Sequence, residues 1–323
     1  MENIIGTILS KILPVSYEYI PLFIHGHAPD FYRLLNCDDK SEAIELFNKL
    51  PPSSRCLLIE SVSDTIQQDD FFDVFFDNSN GPALACLLRG ALLLKRAWIY
   101  RGYGRGEELS EDQVDNMVNA LKNSIRSFEP IMDDAFVGQE ACARAIRTLM
   151  GLSDSWEEID FVYGKMHVFP GEHMLGELNY LVASCEKWLG SHDKMFAHAR
   201  TRVSAASKNP EMGALLAAAY WERHMFIERF EEDDAKALAF RSNAAIISEV
   251  KALADKLLAV SQPNCYDHII GHNIFAAFFC EMNRFDLARP HFYFMGSKVI
   301  RYPWEFFGDG DLQKMYNKSI RSK

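Results

Sequence analysis

His268 and His272 stand one helical turn apart in the run His268-Ile269-Ile270-Gly271-His272, the spacing at which two imidazoles on one helix face can share a metal ion. The zinc-protease form of this pattern needs a Glu beside the first His, and Ile269 stands there instead. Asp267 could join only by reaching round the helix. The pair therefore reads first as two hydrogen-bonded structural histidines and second as a metal site. Ser191-His192-Asp193, inside Trp188-Leu189-Gly190-Ser191-His192-Asp193, has the residue types of a nucleophile and its base. Adjacent residues at a helix start point in different directions, however, and no third group orients the imidazole. The same residues fit a tight helix-helix turn: Gly190 in a left-handed conformation ends one helix, Ser191 caps the next, and Asp193 lies in its positive first turn. The open N–H groups of such a helix start also suit an anion.

Gly102-Tyr103-Gly104-Arg105-Gly106 has the glycine spacing of a phosphate-binding turn, but a helix precedes it where a dinucleotide fold requires a strand. It reads as an inter-helix loop whose Arg101 and Arg105 can contact an anionic partner. His167 and His173 flank the loop Phe169-Pro170-Gly171-Glu172, which can face solvent or a groove. His25-Gly26-His27 lacks a carboxylate or cysteine at ligand spacing, and Glu231-Glu232-Asp233-Asp234 reads as a solvated cap on the helix that follows. An enzyme or small-ligand site would need His167, His173, His192, His268 and His272 to converge with a carboxylate.

Composition narrows the classes. The 323 residues are 48% hydrophobic and 24% charged, with 23 Phe, 12 Tyr and 5 Trp, enough core material for a folded chain. A net charge of -11 and a pI near 5.4, without a basic cluster, argue against nucleic acid; they would favour a basic partner by electrostatic steering and equally serve to keep a soluble protein dispersed, the simpler reading. Seven scattered cysteines include no CxxC pair, as expected of a reducing cytoplasm. Met1 to Ile24 is apolar, but Glu2, Lys11, Pro14, Glu18 and Pro21 interrupt it, so a short packed helix over Ile4 to Leu13 is expected rather than a signal or membrane span. No cofactor is expected, and the oligomeric state is left open.

The elements that would position these residues are all helical. Period-two alternation is nearly absent. Breakers such as Pro51-Pro52-Ser53-Ser54 and Asn78-Ser79-Asn80-Gly81-Pro82 separate predicted helices over Arg55–Phe76, Ala83–Tyr100, Asp112–Phe128 and Phe136–Leu152. Trp156–Val168, His173–Leu189, His192–Ala206, a helix opening at Asn209-Pro210 and running to Phe230, and Asp234–Val260 follow. Tyr266–Met282, Phe285–Ile300 and Trp304–Ile320 complete the set. Ser110 with Gln113 predicts a capping box, and Asp154 with Glu157 another cap. Asn273 to Phe292 reads as a helical hairpin with Ala at the contacts and Phe between them. Pro290, inside its second helix, should free a carbonyl near Asp286 and bend the element toward Trp304. A hairpin of about 34 residues cannot bury its own apolar face, which implies stacked neighbours. The expected fold is all-α, antiparallel helix pairs stacked as a degenerate solenoid, with residues 1–80 as an N-terminal helical cap and 81–323 as the body.

Lys187-Trp188-Leu189-Gly190-Ser191-His192-Asp193-Lys194-Met195-Phe196-Ala197-His198-Ala199-Arg200 resembles the hallmark segment of an uncharacterised family of bacterial TPR-like proteins. Trp98-Ile99-Tyr100-Arg101-Gly102-Tyr103-Gly104 and Pro303-Trp304-Glu305-Phe306-Phe307-Gly308 are similar to its other recurrent stretches, and the resemblance spans Pro82 to Lys323. It implies a TPR-like helical-repeat fold in a bacterial cytoplasmic protein and implies no activity. The expected role is a non-enzymatic protein-protein interaction module, with Arg101, Arg105, His167, His173, Trp188, Ser191 and His192 as partner-binding candidates. An immunity or adaptor protein that neutralises a basic toxin is one alternative; the histidine-cluster enzyme is the other.

Overall fold

The computed structural model describes residues 26–37, 39–65, 82–102, 106–152, 155–205, 208–262, 265–307 and 311–322. Among these are fifteen α-helices and no β-strand. The predicted helix Ile4–Leu13, the second half of Arg55–Phe76, the cap at Asp154, and His25 and Arg105 lie outside the described residues. The described chain divides into two compact units, within 24–194 and 195–323.

The first unit contains α1 (Ala28–Leu35), α2 (Ser41–Lys49), α3 (Pro52–Thr65), α4 (Pro82–Arg101), α5 (Glu111–Phe128), α6 (Gly138–Leu152), α7 (Trp156–Met166) and α8 (Met174–Ala183). Helix α9 (His192–Val203) carries the chain into the second unit. The predicted capping box opens α5: Ser110 Oγ accepts from Gln113 N, and the Gln113 side chain accepts from Ser110 N. Helices α4 and α5 run antiparallel, because Gln113 reaches Tyr100 O at one end while Ser124 Oγ donates to Gly90 O at 2.8 Å. Their seam is close at Gly90, where a Cβ would fall 2.4 Å from the Phe128 ring. Leu94, Ala97, Met117, Ala120 and Leu121 close the core of this pair, with Trp98 packed on them.

The second unit contains α10 (Ala214–Phe226), α11 (Asp234–Arg241), α12 (Ala244–Val260), α13 (Tyr266–Glu281), α14 (Phe285–Met295) and α15 (Asp311–Arg321). The hairpin expected at Asn273 to Phe292 is α13 and α14, with Asn283 in its turn at φ 54°. Helix α13 is buried on every side from Ile269 to Cys280, as a helix at the centre of a unit must be. Pro290 sits inside α14, where it has no N–H to give Asp286 O. The partner of the hairpin's far end is Trp304, fully buried, with Phe292 5.7 Å away.

Several element ends differ from the sequence expectation. Asp234–Val260 is two helices, because the Asn243 side chain accepts from Ala245 N and Ile246 N at 3.0 and 3.2 Å and so starts α12 afresh. The segment from Asn209 opens with a 3-10 turn, Pro210–Gly213, and ends in a π-helical turn, Ile227–Glu231. Helix α8 stops at Ala183 rather than Leu189, and α14 stops at Met295 before Gly296 at φ 54°.

Candidate functional site

Two tryptophans from distant segments meet at the C-terminal end of α4. Trp98 faces out of the α4–α5 core, and Trp188 is presented by the turn after α8. Their rings touch edge to face with centroids 5.7 Å apart. The Arg101 guanidinium lies 5.6 Å over Trp188, and the Arg147 guanidinium, from α6, lies 4.2 Å over Trp98. The Nε1 atoms of both tryptophans are shielded from solvent and have no hydrogen-bond acceptor. Beside this cluster Ile99 and Tyr100 are 59% and 43% exposed.

The turn that places Trp188 is built tightly. Trp188 N and Gly190 N both donate to Cys185 O, at 3.0 and 3.3 Å, and Ser191 N donates to Ser184 O at 3.0 Å. Ser191 Oγ then accepts from Lys194 N at 3.1 Å, the helix cap read from the sequence. Gly190 does not adopt a positive φ. It is required for a different reason: a Cβ there would lie 2.0 Å from Ser184 O. The backbone N–H of His192 donates to Glu186 Oε2 at 3.3 Å, so a carboxylate already faces this helix start.

His167 and His173 lie in the same unit and serve different carboxylates. His173 Nδ1 accepts from Gly176 N at 3.1 Å, capping its own helix, while Nε2 is 2.6 Å from Glu140 Oε2. Glu140 also binds Arg144, which bonds Glu60 at 2.6 Å. Burial alone would raise the Glu140 carboxyl, but Arg144 and His173 outweigh it and hold it at about 2. His167 Nε2 lies 2.9 Å from Oε1 of Glu177, a fully buried carboxylate whose other oxygen accepts from the Tyr163 hydroxyl at 2.9 Å. Tyr163 stacks on Tyr180 at 3.8 Å, and Trp156 lies 5.4 Å from Tyr180.

His268 and His272 lie in the second unit, and their bonds point apart. His268 Nδ1 accepts from Gln262 N at 3.0 Å, and its Nε2 is 3.6 Å from Glu211. His272 turns instead to Ser261 Oγ at 2.7 Å and to His291 Nδ1 at 2.8 Å. Burial, with His268 adding to it, pushes the His272 imidazole down to about 3. The shared-metal geometry that the one-turn spacing allows is thus replaced by two separate hydrogen-bond sets.

Elsewhere in this unit a second polar cluster gathers His224, Glu228, Glu281 and Arg241. His224 Nδ1 is 3.3 Å from Glu281 Oε1, and Nε2 is 3.6 Å from Glu228 Oε1. Arg241 faces both carboxylates at 3.4 and 3.9 Å. Burial and the neighbouring Glu228 push the Glu281 carboxyl up to about 7, against the pull of Arg241 and Arg229.

The structure brings together Arg101 and Trp188 of the sequence-derived candidates and adds Trp98 and Arg147, which sequence reasoning did not select. Ser191 and Gly190 support the turn that holds Trp188. His224, Glu228, Glu281 and His291 were also missed; the spacing of His224 and Glu228 at one helical turn was the signal present for the first two. Comparison with known proteins returns no match: no family model, no curated protein and no solved structure is significantly similar to this chain.

Proposed function

We propose that the chain is a non-enzymatic protein-interaction module that engages its partner through the Trp98–Trp188–Arg101 surface. The carrying observation is the 5.7 Å contact between Trp98 and Trp188, which joins the two segments singled out in the sequence and is flanked by two guanidiniums. Tryptophan, tyrosine and arginine are the side chains that dominate binding energy at protein interfaces. Exposed Ile99 and Tyr100 extend the surface with apolar area. The Arg101 and Arg147 guanidiniums beside the two rings favour an acidic group on the partner rather than a basic one.

Degenerate TPR-like stacking is part of the same proposal. The antiparallel pairing of α4 with α5 and the packing of α5 on α6 and α6 on α7 support it. A cytoplasmic location is supported by seven cysteines none of which forms a disulfide. Among the described residues no helix is long and apolar enough to cross a membrane.

The experiment is quantitative affinity capture from the native cell with the wild-type chain and with Arg101→Glu and Trp188→Ala. One stoichiometric protein recovered by the wild type and lost with both variants is expected. Equal recovery by all three chains removes this surface as the binding site.

A further inference from the structure

Among the described residues, three groups of histidine, cysteine and carboxylate side chains gather closely enough to hold a cation, and their hydrogen bonding separates them. In Cys56, Glu140 and His173 the ring nitrogens are both engaged and Arg144 neutralises the carboxylate. In His167, Glu172 and Glu177 the Tyr163 hydroxyl and the His167 ring already occupy Glu177. His224, Glu228 and Glu281 differ. His224 is fully buried, and neither of its ring nitrogens makes a hydrogen bond of good geometry, the Ala237 backbone being close to the ring without satisfying it. A carboxylate oxygen faces each nitrogen at 3.3 and 3.6 Å, too long or poorly aimed to satisfy it.

A buried imidazole nitrogen without a partner is costly, and an ion would engage one of the two while a carboxylate continues to face the other. One donor atom from each of the three side chains lies within 4.8 Å of the others. An ion with bonds of about 2.0–2.2 Å brings such donors to roughly 3–3.5 Å, so binding must draw the three side chains closer together. The backbone favours this convergence, because the π-helical turn Ile227–Glu231 carries Glu228 and the C-terminal residue of α13 is Glu281. Arg241 stands where a cation would, at contacts longer than hydrogen bonds and with its Nε unbonded. A surface groove of about 510 Å³, lined by Arg241, Ser242, Met282 and Asn283, offers room for Arg241 to swing away.

We propose that His224, Glu228 and Glu281 form a binding site for a divalent transition-metal ion of the zinc or manganese class, with Arg241 as the cation it displaces. One nitrogen and two carboxylate oxygens suit these ions, and water completes the coordination.

The test is titration of the full chain, stripped with a chelator, with zinc chloride and with manganese chloride by calorimetry, and with cobalt chloride by visible absorption. One equivalent of at least one of these ions is expected, with affinity reduced about tenfold or more in Glu228→Gln and in Glu281→Gln. Arg241→Gln should tighten binding, since it removes the competing charge. Because Glu228 is partly exposed, its glutamine variant keeps the fold, which far-ultraviolet circular dichroism checks. Substoichiometric binding by the wild type, or binding that neither glutamine variant weakens, overturns the site and assigns any ion to surface carboxylates.

Discussion

His272 and His291 face each other through their Nδ1 atoms at 2.8 Å, so one ring must present a proton and the other a lone pair. The tautomers follow from the far side. Ser261 Oγ gives its proton to Leu257 O at 2.7 Å, so His272 Nε2 must donate to Ser261. His272 Nδ1 is then the acceptor and His291 Nδ1 the donor, which leaves the lone pair of His291 Nε2 buried without a partner. Phe275 and Phe279 lie 5.3 and 5.8 Å from that ring.

Both rings are folded neutral. Burial, reinforced by the neighbouring ring, pushes His291 well below its ordinary 6.5, and His272 is at about 3. Groups whose folded value is depressed contribute full stability above the unfolded value and lose it as pH falls toward the folded one. Stability should therefore decline from pH 6.5 downward, by up to about 1.4 kcal/mol per pH unit for each ring. Urea midpoints between pH 7.5 and 5 measure it, and His291→Gln should flatten the slope. An identical slope in that variant would show that these rings do not set it.

Glu140 gives a separate acid limit in the other unit. Its ordinary value is 4.5 and its folded value about 2, because Arg144 and His173 outweigh its burial. The stability it supplies is complete above pH 4.5 and is lost between there and pH 2. Glu140→Gln should cost stability at pH 7, leaving Arg144 and His173 less compensated, and should remove part of the acid dependence. Unfolding midpoints of wild type and variant that stay equally far apart at pH 7 and pH 3 would refute this.

Gly190 tests how tightly the Trp188 turn is built. An alanine Cβ would sit 2.0 Å from Ser184 O, and that obstacle is backbone, which cannot rotate aside. Gly190→Ala should cost about 1–3 kcal/mol by forced displacement of the turn. Because Trp188 rides on that turn, its emission should shift as the Trp98 contact opens. A thermal midpoint and emission spectrum unchanged from wild type would contradict the reading.

Part of the local chemistry was legible in the sequence where partners lie within one helical turn. Ser110 with Gln113 and Ser191 with Lys194 are caps of that kind. Asn243 was lost inside a long apolar stretch, because a cap and a tolerated helix-interior asparagine look alike until the backbone is known. The one-turn spacing of His268 and His272 suggested a shared ion, but His272 is oriented by His291 on another helix. The meeting of Trp98 with Trp188 is likewise tertiary: the two are distant in sequence, and only the path of the chain decides that they touch.

Asn273 offers the sharpest test of tertiary specification. It is fully buried and uses all its hydrogen-bonding capacity. Nδ2 donates to Ile269 O at 2.8 Å and Lys298 O at 3.0 Å, while Oδ1 accepts from Ile300 N at 3.2 Å and Trp304 Nε1 at 2.9 Å. One side chain thus ties α13 to the segment that follows α14 and fixes the largest fully buried ring in place. Asn273→Leu keeps the volume but removes every one of these bonds, leaving Trp304 Nε1 without an acceptor. Each such buried group costs about 1–3 kcal/mol, so a loss of roughly 3 kcal/mol or more is expected in urea unfolding. Asn273→Asp retains the acceptor oxygen for Ile300 and Trp304 while burying a carboxyl, and should recover stability relative to leucine only at acid pH, where that carboxyl is neutral. A leucine variant within about 1 kcal/mol of wild type would mean that Trp304 is held by packing against rings such as Phe292 and Phe307 rather than by Asn273.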